Sequence, residues 1–182
     1  MQSLQYFFSL PAVQLEVVAA AFKPETLARG ESFLRAGQYG QRLGFVQSGY
    51  LRIWEQHEDR EVTQWISGPG YFVTDLRSLV FDEAGRWQID ALGPCSLMTI
   101  SGENYRALSD AVPTWEKLEK QFLAKCFAIM EDRVHDLLSR NARERYQRLF
   151  DRDPELFNQV PLQYIASMLG MSPETLSRIR RE

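Results

Sequence analysis

Apolar residues recur along this chain with two different periods, which divide it into three parts. Residues 4–22 place apolar side chains at helical spacing and predict one or two short helices. From Phe22 to Ile100, short runs of aromatic and β-branched residues alternate with Gly or Pro, which predicts an antiparallel β sandwich or barrel. After Ser101 the helical period returns. The pattern therefore predicts an α+β chain in which a β domain is followed by helices.

Residues 113–139 predict a long helix that begins near Pro113. Its apolar positions form two neighbouring stripes, a wider face than one covered side needs. We expect one side to cover the β domain and the other to pair with the same helix of a second chain, as in a coiled coil. A helix buried wholly within its own monomer is the alternative. The candidate dimer-helix residues are Trp115, Leu118, Phe122, Cys126 and Ile129, and the neighbouring stripe carries Leu123, Phe127, Met130, Val134 and Leu137.

The stretch LQYIASMLGMSPETLSRIRRE, residues 162–182, predicts two helices joined by a tight turn. Gly170 can adopt the left-handed conformation that such a turn requires. Ser172 is a typical helix N-cap, and Pro173 is typical of the first helical position. This is the order of elements in a helix-turn-helix, in which the second helix enters the major groove of DNA.

The outer face of that second helix carries side chains suited to DNA. Arg178 can bind the O6 and N7 atoms of guanine, Glu174 can accept a hydrogen bond from cytosine N4, and Ser177 can contact either kind of base. The other candidates contact phosphates, including the helix N-terminus at its cap. The predicted DNA-binding residues are Ser172, Glu174, Thr175, Ser177, Arg178, Arg180 and Arg181. A charged helical hairpin that does not bind DNA is the alternative.

The formal net charge of −3 does not exclude this role, because the charge is unevenly distributed. Residues 1–132 carry 12 Lys and Arg against 17 Asp and Glu, whereas residues 133–182 carry 9 against 7. All nine cations of the second part are Arg, which favours bidentate contacts with phosphates and base edges. Charge therefore permits nucleic-acid binding without demonstrating it.

Two stretches carry a resemblance to a known family. The segment FKPETLARGESFLRAGQYGQRLGFVQSGYLRIWE resembles the effector domain of the Crp/Fnr family of bacterial transcription regulators, and Glu174 to Arg178 reproduce the E-x-x-S-R pattern of the Fnr branch. The resemblance covers essentially the whole chain and is closest to the short Bacteroidetes-type members. One departure is that little room remains for a β-hairpin wing before the first helix of the pair.

The resemblance implies three domains and a mode of action. Residues 1–110 would form a jelly-roll effector domain of the cyclic-nucleotide-binding-like type with N-terminal helices, 111–139 a dimerisation helix and 140–182 a helix-turn-helix domain. The partners would be a second copy of the chain and double-stranded DNA with a two-fold operator of TTGA-like half-sites, contacted by Glu174, Ser177 and Arg178. RNA polymerase is a further candidate partner.

The region GYFVTDLRSLVFDEAGRWQIDAL departs from the cyclic-nucleotide pattern of this family, in which G-E-L is followed by R-S-A or R-T-A. Asp75 stands where the ribose-binding Glu is expected, and Thr74 replaces the Gly. Arg86 lies near the phosphate-binding Arg, although a shift of one residue places Gly85 there, and the bulk of Trp87 should obstruct a phosphate. We therefore predict a degenerate effector pocket at Thr74, Asp75, Arg86 and Trp87. It would sense an unknown small molecule or none, and cyclic AMP should not bind.

The remaining chemistry favours no catalytic or metal site. Two cysteines cannot supply the four thiolates of an iron–sulfur cluster. His57 and His135 lack a local ligand motif, and no nucleophile–base set or phosphate-binding loop stands out. We expect no enzymatic activity, no metal and no cofactor. The alternatives are a regulator whose β domain is only a dimer scaffold, and a cupin-like binding protein or enzyme whose helical tail mediates protein contacts.

The chain lacks an apolar run long enough to cross a bilayer, and its start lacks the basic region of a signal peptide. Cys95 and Cys126 have no paired spacing and are expected to be reduced. These features favour a cytoplasmic protein without membrane contacts.

Overall fold

The computed structural model describes residues 12–181, so the part of the predicted N-terminal helices before residue 12 lies outside the described residues. In chain order the elements are α1 Ala12–Ala21, β1 Lys23–Leu27, β2 Ser32–Leu34, β3 Arg42–Ser48, β4 Leu51–His57, β5 Arg60–Ser67, β6 Phe72–Val73, α2 Leu76–Phe81, β7 Gln88–Ala91, β8 Cys95–Ser101, α3 Gly102–Ala111, α4 Trp115–Ser139, α5 Ala142–Arg152, α6 Leu156–Gln159, α7 Leu162–Met168 and α8 Pro173–Arg181. Within the described residues, no helix has the length and apolar character to cross a membrane.

The strands form two four-stranded sheets with the orders β1-β8-β3-β6 and β2-β7-β4-β5, and every pair is antiparallel. Alternation along β3 explains how the first sheet is covered on both faces. Leu43 and Phe45 pack under the helices, whereas Val46 packs in the core shared with the second sheet. The predicted antiparallel, jelly-roll-like β domain is confirmed.

The first turns of α4 lie on the β domain of their own chain. Trp115, Leu118 and Phe122 are 1%, 6% and 2% exposed and belong to one core with Leu43, Phe45 and other residues of β3, β8, α1 and α3. The expectation that these three side chains contact a second chain is therefore wrong, because the sheet already covers them. Of the other two candidates, Cys126 packs at the margin of this core and Ile129 lines cavities within the monomer.

The neighbouring stripe of α4 is mixed, because Leu123 and Met130 are half-buried whereas Phe127, Val134 and Leu137 are exposed. Phe127 is 64% exposed, Val134 54% and Leu138 83%. These residues are seven and four positions apart, so they lie on one face of the helix. Phe127 and Val134 of the predicted stripe, with Leu138 beyond it, form the most exposed apolar surface of α4, hereafter the exposed stripe.

Helices α5–α8 share a core with the outer side of β4 and β5. It combines Tyr50 and Ile66 of the β domain with helical residues such as Leu149, Ile165 and Leu176. Three polar contacts accompany it. The hydroxyl of Ser167 accepts a hydrogen bond from Thr63 N at 2.9 Å, the guanidinium of Arg52 lies 3.9 Å from the ring centroid of Tyr164, and Tyr50 donates its hydroxyl to Asp153 at 3.1 Å. The C-terminal helices are therefore packed onto the sheet of the same chain.

Candidate functional site

The turn between α7 and α8 has the predicted geometry. Gly170 has φ +65°, which confirms the expected left-handed conformation, and Met171 N donates to Ala166 O at 3.0 Å. Arg145 of α5 holds the turn from outside, because its Nε donates to Leu169 O at 2.9 Å and its second nitrogen donates to Arg140 O at 2.6 Å. This one side chain ties the turn to the end of the long helix.

Helix α8 has one buried and one open face. Ser172 caps it by accepting a hydrogen bond from Thr175 N at 3.2 Å, as predicted. Leu176 is fully buried and Ile179 is half-buried, which anchors the helix on α7 and α5. Among the predicted DNA-binding residues, Ser172, Glu174, Arg178, Arg180 and Arg181 are exposed, and Thr175 and Ser177 are half-buried. All seven thus lie on or beside a surface that the described part of the chain leaves open.

Asp75 sits at the N-terminus of the short helix α2 and is only 2% exposed. Its Oδ1 accepts from Arg77 N at 3.0 Å and from Ser78 N at 3.2 Å. Its Oδ2 accepts from Arg86 N at 2.7 Å and from Trp87 N at 3.0 Å. Four backbone N–H groups therefore surround one carboxylate of the protein itself. The expectation that Asp75 faces an effector is corrected, because its oxygens are already occupied by these groups.

Arg86 points away from the β-domain interior. Its side chain is 55% exposed and makes two hydrogen bonds with the carboxylate of Glu55, at 2.6 and 2.8 Å. These hydrogen bonds lower the pKa of Glu55. The expectation that Arg86 lines the pocket is therefore wrong, because its guanidinium pairs with Glu55 and lies 4.7 Å from the ring centroid of Trp87, outside the residues that line the cavity. Glu55 was missed because its proximity depends on the pairing of β4 with β7, which has no local signal.

The other two predicted pocket residues do line a cavity. Thr74 and Trp87 lie at a space of about 190 Å³ between β4–β6, the start of α2 and the middle of α4. Its walls are Ile53, Gln64, Trp65, Ser67, Tyr71, Phe72, Thr74, Leu76, Trp87, Phe122, Cys126, Ile129 and Met130. No lysine or arginine is among them, and burial raises the pKa of the Cys126 thiol, which keeps it neutral. The space is smaller than the roughly 300–1,000 Å³ of ordinary ligand pockets.

Among residues 12–181, no group of three or more His, Cys, Asp or Glu side chains is arranged to hold a metal ion.

The chain resembles a known domain family in sequence and known proteins in structure. Residues 24–111 match the family model described as the cyclic nucleotide-binding domain. No curated protein matches the chain. The structure is similar to the catabolite activator protein of Thermus thermophilus, with 24% identity and a TM-score of 0.61 over 96% of this chain and 84% of that one.

Two further solved structures extend the comparison. FixK2 from Bradyrhizobium japonicum has 18% identity and a TM-score of 0.74, with 88% of this chain and 83% of that one covered. The regulatory domain of Toxoplasma gondii PKA, solved with cAMP, has 21% identity and a TM-score of 0.53, with 62% and 46% covered. At these identities the likeness shows the fold. Residues 24–111 therefore have the fold of a cyclic nucleotide-binding domain, in a chain whose structural neighbours include Crp/Fnr-type regulators.

Proposed function

We propose that the chain is a homodimeric, sequence-specific DNA-binding transcription regulator of the Crp/Fnr type. The observation that carries the proposal is α8, a capped helix whose inner side is anchored by Leu176 and whose outer side presents Glu174 and Arg178 to solvent. Carboxylate and guanidinium groups one helical turn apart match the donors and acceptors of base edges in the major groove. The neighbouring Arg180 and Arg181 are suited to phosphates.

The exposed stripe of α4 supports the dimer. A large apolar side chain such as Leu138, 83% exposed, is unfavourable in water and is stabilised when a second copy covers it. Pairing of two α4 helices would bring two α8 helices into one assembly, and a two-fold operator needs them about 34 Å apart, one turn of DNA. Any signal that changes how the helices pair would change this separation.

The β domain of such a regulator would not respond to a cyclic nucleotide in the standard way. Asp75 already supplies an anion to the N–H groups at the start of α2. The nearby cavity has no cation to neutralise a phosphate. We infer that cyclic AMP does not bind there, and isothermal titration calorimetry with cyclic AMP should show no saturable heat.

The proposal is tested by fluorescence anisotropy with a duplex that carries two TTGA-like half-sites one helical turn apart. Tight binding is expected, at least tenfold stronger than to a scrambled duplex of the same length. The logarithm of the binding constant should fall with the logarithm of salt concentration, by about 0.9 for each phosphate contacted. Equal affinity for both duplexes, or a flat response to salt, would refute sequence-specific groove binding.

A further inference from the structure

A second and larger cleft lies where the β domain, the long helix and the C-terminal helices meet. Its volume is about 570 Å³. Trp65 and Tyr71 line it from the sheet, α4 contributes Arg133, and α5 contributes Arg152. The cleft is separate from the cyclic-nucleotide region around Asp75 and from the outer face of α8.

Two guanidinium groups gather at one ring in this cleft. The guanidinium carbons of Arg133 and Arg152 lie 5.9 and 5.5 Å from the ring centroid of Trp65. Within residues 12–181, neither side chain forms an ion pair with a carboxylate. Burial, together with the charge of Arg152, lowers the pKa of Arg133 to about 10. The half-buried Arg133 therefore carries its charge in a partly desolvated place beside the exposed, like-charged Arg152, which is unfavourable unless an anion joins them.

Most of the other charged side chains of the cleft have hydrogen-bond or ion-pair partners elsewhere. Arg148 pairs with Asp136 at 3.1 Å, and Arg145 is held by backbone carbonyls at the turn. Asp151 accepts from a neighbouring glutamine at 2.7 Å, and Asp132 lines the cleft without an ion pair to either free arginine. The lining carries four arginines against three aspartates, so the cleft has an excess of one positive charge, and Arg133 and Arg152 are its arginines without an ion pair or a carbonyl partner among the described residues.

We propose that this cleft binds a phosphate-bearing small molecule of nucleotide size, with its phosphate between Arg133 and Arg152. Guanidinium forks match phosphate oxygens in a bidentate manner. The cleft volume falls in the range of ordinary ligand pockets. Apolar walls that include Ile129, Leu137 and Met168 would cover the organic part of the ligand.

Binding there would fix the C-terminal helices relative to the long helix. Arg133 belongs to α4 and Arg152 to α5, so a shared phosphate links the two elements, and its organic part would contact the sheet. The site does not depend on DNA binding by α8. It would also give the chain an effector site despite the occupied position at Asp75.

The test uses ADP and pyrophosphate as probes, with adenosine as the uncharged control, in isothermal titration calorimetry of the intact protein at constant ionic strength. ADP and pyrophosphate should bind saturably and adenosine should not. Arg133→Gln and Arg152→Gln should each weaken ADP binding about tenfold or more. Arg77→Gln, which changes an exposed arginine on α2, should leave it unchanged.

Thermal unfolding distinguishes a ligand-binding role of Arg133 from a purely structural one. Without ligand, Arg133→Gln should leave the melting temperature unchanged or raise it, because the repulsion from Arg152 is removed; a structural arginine would lower it. ADP should raise the melting temperature of the wild type, and this shift should be lost in Arg133→Gln. The proposal is overturned if neither ADP nor pyrophosphate binds or shifts wild-type unfolding, or if both Gln variants bind ADP like the wild type. It is also overturned if the two substitutions weaken only duplex DNA binding, which would make the anion a DNA phosphate.

Discussion

Trp87 donates its backbone N–H to the carboxylate of Asp75 across a distance of 3.0 Å. This hydrogen bond joins the strand β7 to the start of α2, twelve residues earlier in the chain. Both residues were expected to line an effector pocket; the Trp87 side chain lines a cavity, whereas the Asp75 carboxylate is occupied by backbone N–H groups, that of Trp87 included. The protein thereby supplies its own anion in the region where the sequence predicts an effector pocket, which makes this corner of the β domain a structural element.

Replacing Asp75 by Asn should destabilise the protein substantially. An amide has one acceptor oxygen, so two of the four N–H groups around it would lose their partner, and its NH₂ group would face donors. The expected loss is about 2–3 kcal/mol in the free energy of unfolding, measured by urea denaturation. Asp59→Asn, at the exposed tip of the β4–β5 hairpin, is the control and should have little effect. A neutral Asp75→Asn variant would contradict the assigned role.

Replacing Phe127 by Lys should convert the proposed dimer into a monomer, because it places a charge in the exposed stripe of α4. Sedimentation velocity would measure the change in mass. The matched control is Phe81→Lys at the end of α2, since Phe81 is 68% exposed and Phe127 64%. The control should stay dimeric. A dimeric Phe127→Lys protein would mean that the exposed stripe does not form the contact.

Replacing Arg178 by Ala should relax the preference at one base pair of each half-site. The expected cost is about 1–3 kcal/mol on the preferred operator and much less on an operator changed at that pair. Arg181→Ala is the informative comparison, because loss of a phosphate contact should weaken all duplexes alike and reduce the salt dependence. Anisotropy titrations on a set of single-base operator variants would distinguish the two patterns. Unchanged specificity in Arg178→Ala would remove its assignment to a base.

Replacing Gly170 by Ala should destabilise the protein for two separable reasons. Its φ of +65° is strained for alanine, at about 1–2 kcal/mol, and the added Cβ would lie 3.1 Å from Leu137 Cδ2. Gly30→Ala has a similar strain at φ +82° but no neighbour within 4 Å. Gly170→Ala should therefore cost more in urea denaturation. Leu137→Ala should remove the excess, and an unchanged excess would assign it to another contact.

The parts of the chain that were predicted well depend on local rules. Gly170 and Ser172 are set by backbone conformation and helix capping, which neighbours in sequence decide. The short runs of aromatic and β-branched residues between Gly and Pro, from Phe22 to Ile100, likewise indicate strands from local composition. These signals suffice for the β domain and for the α7–α8 turn.

The errors concern contacts between distant segments. Helical periodicity identified two apolar stripes on α4, but both satisfy the same pattern, and only the packed sheet decides that Trp115 and Phe122 face inward. The partners of Asp75 depend on the closure of a loop between α2 and β7. Arg133 and Arg152 lie 19 positions apart on different helices, so their meeting at Trp65 has no sequence signature.

The hydrogen bond from Thr63 N to Ser167 bears on the solubility of the β domain when it is separated from the C-terminal helices. Strand β5 is the last in its sheet, and α7 satisfies a backbone donor there while Ile66 and Tyr50 are covered by the helices around it. A fragment that ends before α5 would present a bare strand edge beside apolar side chains, a combination that promotes intermolecular β pairing. The C-terminal helices thus act as a shield against aggregation, and the β domain should require them to remain soluble at high concentration.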